Sequence, residues 1–309
     1  DQLPEPYAGQ HHYLLLCLDQ YNGTVYKGPI AAGRGNPYGY TDGMVLLTLD
    51  TRAHRIMLTS FIRDALVNTP TGTIGRLNNI YRLHGGPEQT MKTISEHIGV
   101  KIEKYILFDF NQIAAIIDSL GGVDITITSE EASYLIRYPL TRTQTSPAIS
   151  RAGTYRFVGR AAVIYMRIRK VHTEEYLHAD GKVYYDTQDY GRTYRDRKVL
   201  SSIADSLKDI SYEDAMKLLD VILSNTVYTN MTTDDFLNAL DLAMDMRGVP
   251  VEHIRMPIDN PVDEKLTRET YSYEEFGYAG MATKQINFVK NREALHSFLM
   301  DSFVVVDDE

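Results

Sequence analysis

Four short segments carry guanidiniums in settings that could meet a phosphate: Phe61-Ile62-Arg63-Asp64, Tyr165-Met166-Arg167-Ile168-Arg169, Asp189-Tyr190-Gly191-Arg192 and the adjoining Thr193-Tyr194-Arg195. An arginine fork matches phosphate oxygens, and each charged hydrogen bond is worth about 1.5–3 kcal/mol. Arg63 follows an apolar run of strand length, and ligands of α/β sheets bind beyond strand ends. Over 164–169 the order Ile-Tyr-Met-Arg-Ile-Arg alternates, so an extended backbone is expected, with Arg167 and Arg169 on one side about 7 Å apart. A helix would turn them roughly 200° apart. Arg192 and Arg195, three apart on an expected helix, share a face. Any one of these arginines taken singly reads better as half of a surface ion pair, Arg192 with Asp196 for example, than as a phosphate ligand.

Two carboxylates stand where strands deliver side chains to a crevice: Asp19 at the end of the first strand and Asp42 just before the second. Beside phosphate-binding arginines such a pair suits Mg²⁺, which takes one or two carboxylates and fills its shell from substrate phosphate. Other chemistries lack their residues. The nine histidines show no His-Glu-x-x-His spacing. The loop Gly33-Arg34-Gly35-Asn36-Pro37-Tyr38-Gly39 has no Walker Lys-Ser/Thr and precedes a strand, so it reads as a rim. No Gly-x-Ser-x-Gly elbow occurs, and the single cysteine, Cys17, lies in an apolar run where a buried, inert thiol is expected.

These residues need a scaffold, and the 309-residue chain is large enough to build one. Apolar runs of strand length at 12–18, 43–50, 55–61, 105–109 and 122–127 alternate with helical spacing at 86–98 and 110–119, the latter closed by Gly121-Gly122. Further helices are expected at 189–207, 211–224, 232–245 and near 292–303, with a strand at 251–257. The stretches 129–153 and 171–188 read as loops or insertions. This is an α/β pattern in three layers, α-β-α, around a central mixed sheet, without repeats or linkers, so residues 1–309 are expected to form one domain with a motif-bearing core at 12–207 completed by 208–309. A net charge of −9 argues against general nucleic-acid binding, which needs a surplus of Lys and Arg. No run approaches the roughly 20 apolar residues of a membrane span.

At these residues the sequence resembles the LytR-CpsA-Psr family: Leu14 to Asp19, Thr41-Asp42-Gly43-Met44, Ile62-Arg63-Asp64, Arg76-Leu77-Asn78-Asn79 with Gly85-Gly86, Leu120 to Asp124, Gly159 to Arg169, Asp189 to Arg195 and Tyr228-Thr229-Asn230. The pieces are individually weak, but they occur in order along nearly the whole chain. The resemblance implies a membrane-anchored, extracytoplasmic enzyme of bacterial cell-wall biogenesis, with its N-terminal anchor absent from this chain. It implies transfer of an anionic glycopolymer, teichoic acid or capsule polysaccharide, from a polyprenyl pyrophosphate carrier to peptidoglycan. It implies that Arg63, Arg76, Arg167, Arg169, Arg192, Arg195 and Asp196 hold the pyrophosphate, that Asp19 and Asp42 hold Mg²⁺, that Asp42, Arg63, Arg167 and Arg169 serve catalysis, and that an apolar tunnel receives the lipid.

Two positions depart from the family pattern. Tyr40 stands where an arginine is usual, with Arg34 as the candidate to reach in for it, and Asp196 stands where glutamine is usual and sets a negative charge near the phosphates. These departures keep a second function in view, a non-catalytic polyprenyl-phosphate-binding regulator of wall assembly. A third, transcriptional control, is disfavoured by the acidic balance and by the lack of a basic recognition helix.

Overall fold

The computed structural model describes residues 3–20, 38–138, 147–177, 183–258, 267–269 and 283–300. In chain order the elements are β1 (Gln10–Leu18), β2 (Thr41–Asp50), β3 (Arg55–Phe61), β4 (Ala65–Asn68), β5 (Ile74–Arg76), α1 (Leu77–Ile80), a single π turn (Tyr81–Gly85), α2 (Gly86–Ile98), β6 (Lys104–Asp109), α3 (Phe110–Ser119), β7 (Val123–Ile127), α4 (Ser129–Arg137), β8 (Gly153–Phe157), α5 (Gly159–Met166), β9 (Tyr176–Leu177) and β10 (Val183–Tyr184). They continue with α6 (Gln188–Ser206), α7 (Tyr212–Ser224), β11 (Tyr228–Thr229), α8 (Thr233–Asp245), β12 (Val251–Met256), β13 (Thr267–Glu269), β14 (Lys284–Ile286) and α9 (Phe288–Leu299).

The central sheet has the order β11-β6-β1-β2-β3-β12 and is mixed: β1 pairs antiparallel with β2 and parallel with β6, and β12 runs parallel to β3. Its inner strands are apolar on both faces, so each face is covered. The period-2 alternation of β1 and β2 sends Leu14, Leu16, Leu18, Met44 and Leu46 into a core closed by α1, α2 and α9. It sends Leu15, Cys17, Val45, Leu47 and Leu49 to the opposite face, under α3, α6, α7 and α8, where they line a cavity. A smaller sheet, β13-β14-β4-β5, flanks the first core.

A second core sits beside the sheet, where the antiparallel β7–β8 pair packs with α3, α4 and α5 through Ile117, Ile125, Phe157, Ala161 and Tyr165. The expected strand at 122–127 therefore forms, but in this separate two-stranded sheet and not in the central layer. The stretch expected to loop from 129 begins as a helix, α4, and the reason is local: Thr128 accepts from the Glu131 amide and Glu131 accepts from the Thr128 amide, a reciprocal cap that nucleates the first turn. The last helix spans 288–299, starting earlier than the 292–303 expected, because Asn287 caps it at the Lys290 amide; the segment from 301 lies outside the described residues.

The extended segment expected over 164–169 is helical as far as Met166, with Arg167 as its cap. Six residues of alternation are too few to outweigh the burial of Ala161, Ala162, Tyr165 and Met166 along one side of a helix. That helix lies tight against α3: a Cβ on Gly159 would stand 1.9 Å from the carbonyl oxygen of Ala114. Gly159→Ala should therefore lower stability by about 1–3 kcal/mol, the usual cost of overpacking a close contact, measured as a fall in Tm. An unchanged Tm would mean that α3 and α5 do not approach so closely.

Candidate functional site

The arginines are organised by two acids. Asp42, in β2, accepts from Arg63 Nη1 at 2.8 Å through Oδ2, and Arg192 Nη1 lies 3.2 Å from the same oxygen. Arg192 also donates to the Asp42 carbonyl, and Asn78 Nδ2 lies 3.3 Å from Oδ1. Asp189, in the first turn of α6, is shared in turn: its Oδ1 is 3.4 Å from Arg63 Nε and 3.1 Å from Arg169 Nη2. The result is an alternating run Arg192–Asp42–Arg63–Asp189–Arg169, with one positive charge in excess.

Backbone contacts hold this run in place. The Asn78 amide donates to the Arg63 carbonyl, which ties the turn after β3 to α1. The Gln188 amide donates to the Arg169 carbonyl at 2.6 Å, and Gln188 adopts a left-handed φ of 54°, a conformation uncommon outside glycine, at the start of α6. Burial works to raise the Asp42 pKa, but Arg192, Arg63 and Asn78 outweigh it and hold the carboxyl below its usual range. Asp42 is thus firmly ionised.

Around this run lie Asp19, Asp64, Arg76 and Arg167. Asp19 accepts from the Tyr40 amide at 2.8 Å, yet burial, together with nearby Asp42, raises its pKa against the pull of that bond and of Arg167. Burial and Asp189 likewise raise Asp64, which feels Lys284, Arg76 and Arg63. Burial lowers Arg76 and Arg169, and acids of the same group act in the other direction on both. Arg167 is exposed, with its guanidinium 5.1 Å from the Phe110 ring centre. Arg63, Arg76, Arg167, Arg169, Arg192, Asp19 and Asp42 are therefore one electrostatic neighbourhood.

Arg195 is not part of it. Fully buried, it pairs with Glu131 at 2.7 Å and donates to the carbonyls of Ile168, Val171 and His172, under the Tyr165 ring. Three residues along a helix is a rotation of about 300°, and here the difference is enough to turn Arg195 toward α4 while Arg192 faces β2. Its role is to fasten the Ile168–His172 segment onto α6.

The polar run borders the apolar cavity, a space of about 380 Å³ walled by the sheet and by α3, α6, α7 and α8. The border is drawn by sequence neighbours: Gly43 follows Asp42, and Asp196 lies one helical turn after Arg192, and both line the cavity beside Cys17. A side chain at 43 would crowd this border, since its Cβ would stand 3.0 Å from the Cys17 Cβ. Cys17 is a buried free thiol whose pKa burial pushes well up. Asp196 makes no ion pair with Arg192, and its Oδ1 has no hydrogen-bond partner. Burial raises its pKa to about 7 against the opposing effect of Arg192 and Arg197, so near neutrality much of the negative charge expected there is absent.

Asp189 and Asn78, which complete the run, belong to segments singled out in the sequence, but neither type nor spacing marks them as partners of particular arginines. Arg34, the expected substitute at the Tyr40 position, lies outside the described residues, as do residues 33–37 of its loop. Among the described residues no group of three or more His, Cys, Asp or Glu side chains is placed to hold a metal by itself, and no helix is long and apolar enough to cross a membrane.

The profile of the LytR_cpsA_psr family matches residues 14–291. Biofilm regulatory protein A of Streptococcus mutans is 29% identical over 206 residues, covering 63% of this chain and 45% of its own length. Polyisoprenyl-teichoic acid–peptidoglycan teichoic acid transferase TagV of Bacillus subtilis is 23% identical over 198 residues, covering 62% of this chain and 45% of its own. The chain thus spans about half the length of these two relatives. Among solved structures, TagT bound to LIIa-WTA superposes with a TM-score of 0.66 at 20% identity, over 96% of this chain and 91% of that one, a likeness of fold.

The raised pKa of Asp196 gives a stability test. Its folded value of about 7 lies above the unfolded value, so the fold favours the neutral acid. The cost of burying the charge is absent below about pH 4, grows as pH rises, and is complete above about pH 7. Asp196→Asn should raise Tm relative to the parent at pH 8 and lose that advantage towards pH 4. A pH-independent difference would show that Asp196 is not buried as a neutral acid.

Proposed function

The chain belongs to the LytR-CpsA-Psr family, and from that premise we propose that it is a phosphotransferase that moves an anionic glycopolymer from a polyprenyl pyrophosphate carrier to peptidoglycan. The observation that carries this reading is the shared border between the arginine run and the apolar cavity: one ligand with a diphosphate head and a hydrocarbon tail satisfies both. The names of TagV and of a second teichoic acid transferase, 25% identical over 227 residues, support the substrate class. The reading places the protein on the outer face of a bacterial membrane.

In this mechanism a sugar hydroxyl of the acceptor attacks the phosphorus joined to the glycan. The new P–O bond forms as the bridging P–O bond breaks, releasing the polyprenyl phosphate. Arg63, Arg169 and Arg192 neutralise charge developing on the phosphate oxygens from fixed positions, which is where preorganised donors act best. Asp42 is the candidate acceptor of the hydroxyl proton. While two guanidiniums hold it, it is a weak base; phosphate oxygens that share the Arg63 and Arg192 donors would return part of its basicity.

Mg²⁺ fits the donors present. Asp19 and Asp42 are neighbouring carboxylates, Asp19 being raised by burial first and by Asp42 second, and two protein oxygens with phosphate and water complete the shell this ion prefers. Bound there, it would neutralise the pyrophosphate.

A second reading, a lipid-phosphate-binding regulator without catalysis, draws support from the ion pairs that hold Asp42 ionised and from the regulatory name of the Streptococcus mutans relative. Transfer from a lipid-pyrophosphate-linked glycan to peptidoglycan fragments separates the two. Arg63→Ala and Arg192→Ala should each lower transfer at least tenfold, with chelation of divalent ions lowering it in the parent protein. Wild-type rates in both variants would overturn the assignment, and tight lipid binding without transfer by the parent would favour the regulator.

A further inference from the structure

Arg82 lies in the π turn that follows α1 and is not among the residues that line the cavity. Two contacts orient it. Its guanidinium stands 4.8 Å from the centre of the Tyr40 ring, and its Nε donates to Asn79 Oδ1 at 3.1 Å. Both supports belong to the site already described: the Tyr40 amide binds Asp19, and Asn78, next to Asn79, binds Asp42. Arg82 itself makes no ion pair among the described residues, in contrast to Arg63, Arg169 and Arg192, which are all committed to acids. Its Nη groups are left to donate outward from a partly exposed position.

A long side chain held at both its ring-facing plane and its Nε, with its remaining donors unspent, has already lost much of the rotamer entropy that binding would cost. Such a π turn inserted between helical segments is a frequent device for aiming side chains at functional sites.

We propose that Arg82 is a ligand-binding arginine of this site, taking an oxygen of the phosphate on the glycan side of the bound pyrophosphate, with Tyr40 and Asn79 as its positioning residues. The inference rests on the reading of the site as a lipid-pyrophosphate site. The order of phosphates follows from the borders. Asp42 and Arg192 adjoin the cavity-lining Gly43 and Asp196, so the phosphate that carries the lipid belongs with Arg63 and Arg192, and the next one is assigned to the Tyr40 side, where Arg82 stands. Arg82 thereby supplies a cation beside Tyr40, at the position where the sequence pattern led to the expectation of help from Arg34.

Binding of farnesyl pyrophosphate and farnesyl monophosphate, titrated calorimetrically with variants whose Tm is unchanged, tests the assignment. Arg82→Ala should weaken the pyrophosphate about tenfold, the loss expected for one charged hydrogen bond of about 1.5 kcal/mol, and leave the monophosphate within about twofold. Arg63→Ala should weaken both. Tyr40→Leu should give part of the Arg82→Ala loss, Arg82→Lys should not restore binding because an ammonium cannot stack as a plane, and the Tyr40→Leu, Arg82→Ala double variant should be no worse than Arg82→Ala alone. Parent-like pyrophosphate binding by Arg82→Ala, an equal loss for both ligands, or additive losses in the double variant would overturn the proposal. If Arg63→Ala also binds both ligands as the parent does, the lipid-pyrophosphate reading fails with it; if Arg63→Ala alone is impaired, only the role of Arg82 falls.

Discussion

Each of two carboxylates is shared between two guanidiniums, and the arrangement of the site depends on that sharing. Arg63, Arg169 and Arg192 come from the turn after β3, the segment after α5 and the second turn of α6, and without Asp42 and Asp189 between them three like charges would be held together at partly buried positions. At such short range and reduced dielectric that repulsion would amount to several kcal/mol. The acids remove it, and they do so with less charge than the arginines bring. The run is therefore stable enough to be fixed before a ligand arrives and cationic enough to attract one. Pairs of this kind add little net stability, because desolvation offsets the attraction, and their value lies in geometry.

The sheet supplies the rest of the design through its alternation. Along β2 the side chains pass from Asp42, in the charge run, to Gly43, Val45, Leu47 and Leu49, along the cavity wall, while Met44 and Leu46 seal the opposite core. Along α6 the same change occurs within one turn, from Arg192 to Asp196 and then to Val199 and Ile203. Two elements thus cross from polar to apolar at the same place, which gives the site an axis. A buried acid with a pKa of about 7 stands at the crossing, where a full charge would be costly and an apolar residue would forgo a hydrogen-bonding group.

The strands and helices of the central layers were legible because their signals are local and strong. The runs at 12–18, 43–50 and 55–61 have the length and apolar character of buried strands, and the stripe from Ile113 to Leu120 ends at a glycine pair with φ of 74° and 93°. Arg63, Arg192 and Asp42 were also legible, as arginines and an acid beside strand ends and helix starts. What could not be read was partnership. Arg192 and Arg195 stand three residues apart on one helix, and only the packing of α4 against α6 decides that Glu131 takes one and Asp42 the other. The alternation around Arg167 was a true pattern in too short a window, overruled by the contact of Gly159 with α3. Arg82 had no sequence signal, since its significance comes from a ring across the site.

The central claim is that the charge run and the cavity receive one molecule, head and tail together. A crystal structure with farnesyl pyrophosphate tests it most directly. The account predicts phosphate oxygens within hydrogen-bond reach of Arg63 and Arg192 and the isoprenoid chain inside the cavity beyond Gly43 and Asp196. A head group bound away from these arginines, or a tail lying outside the cavity, would contradict it.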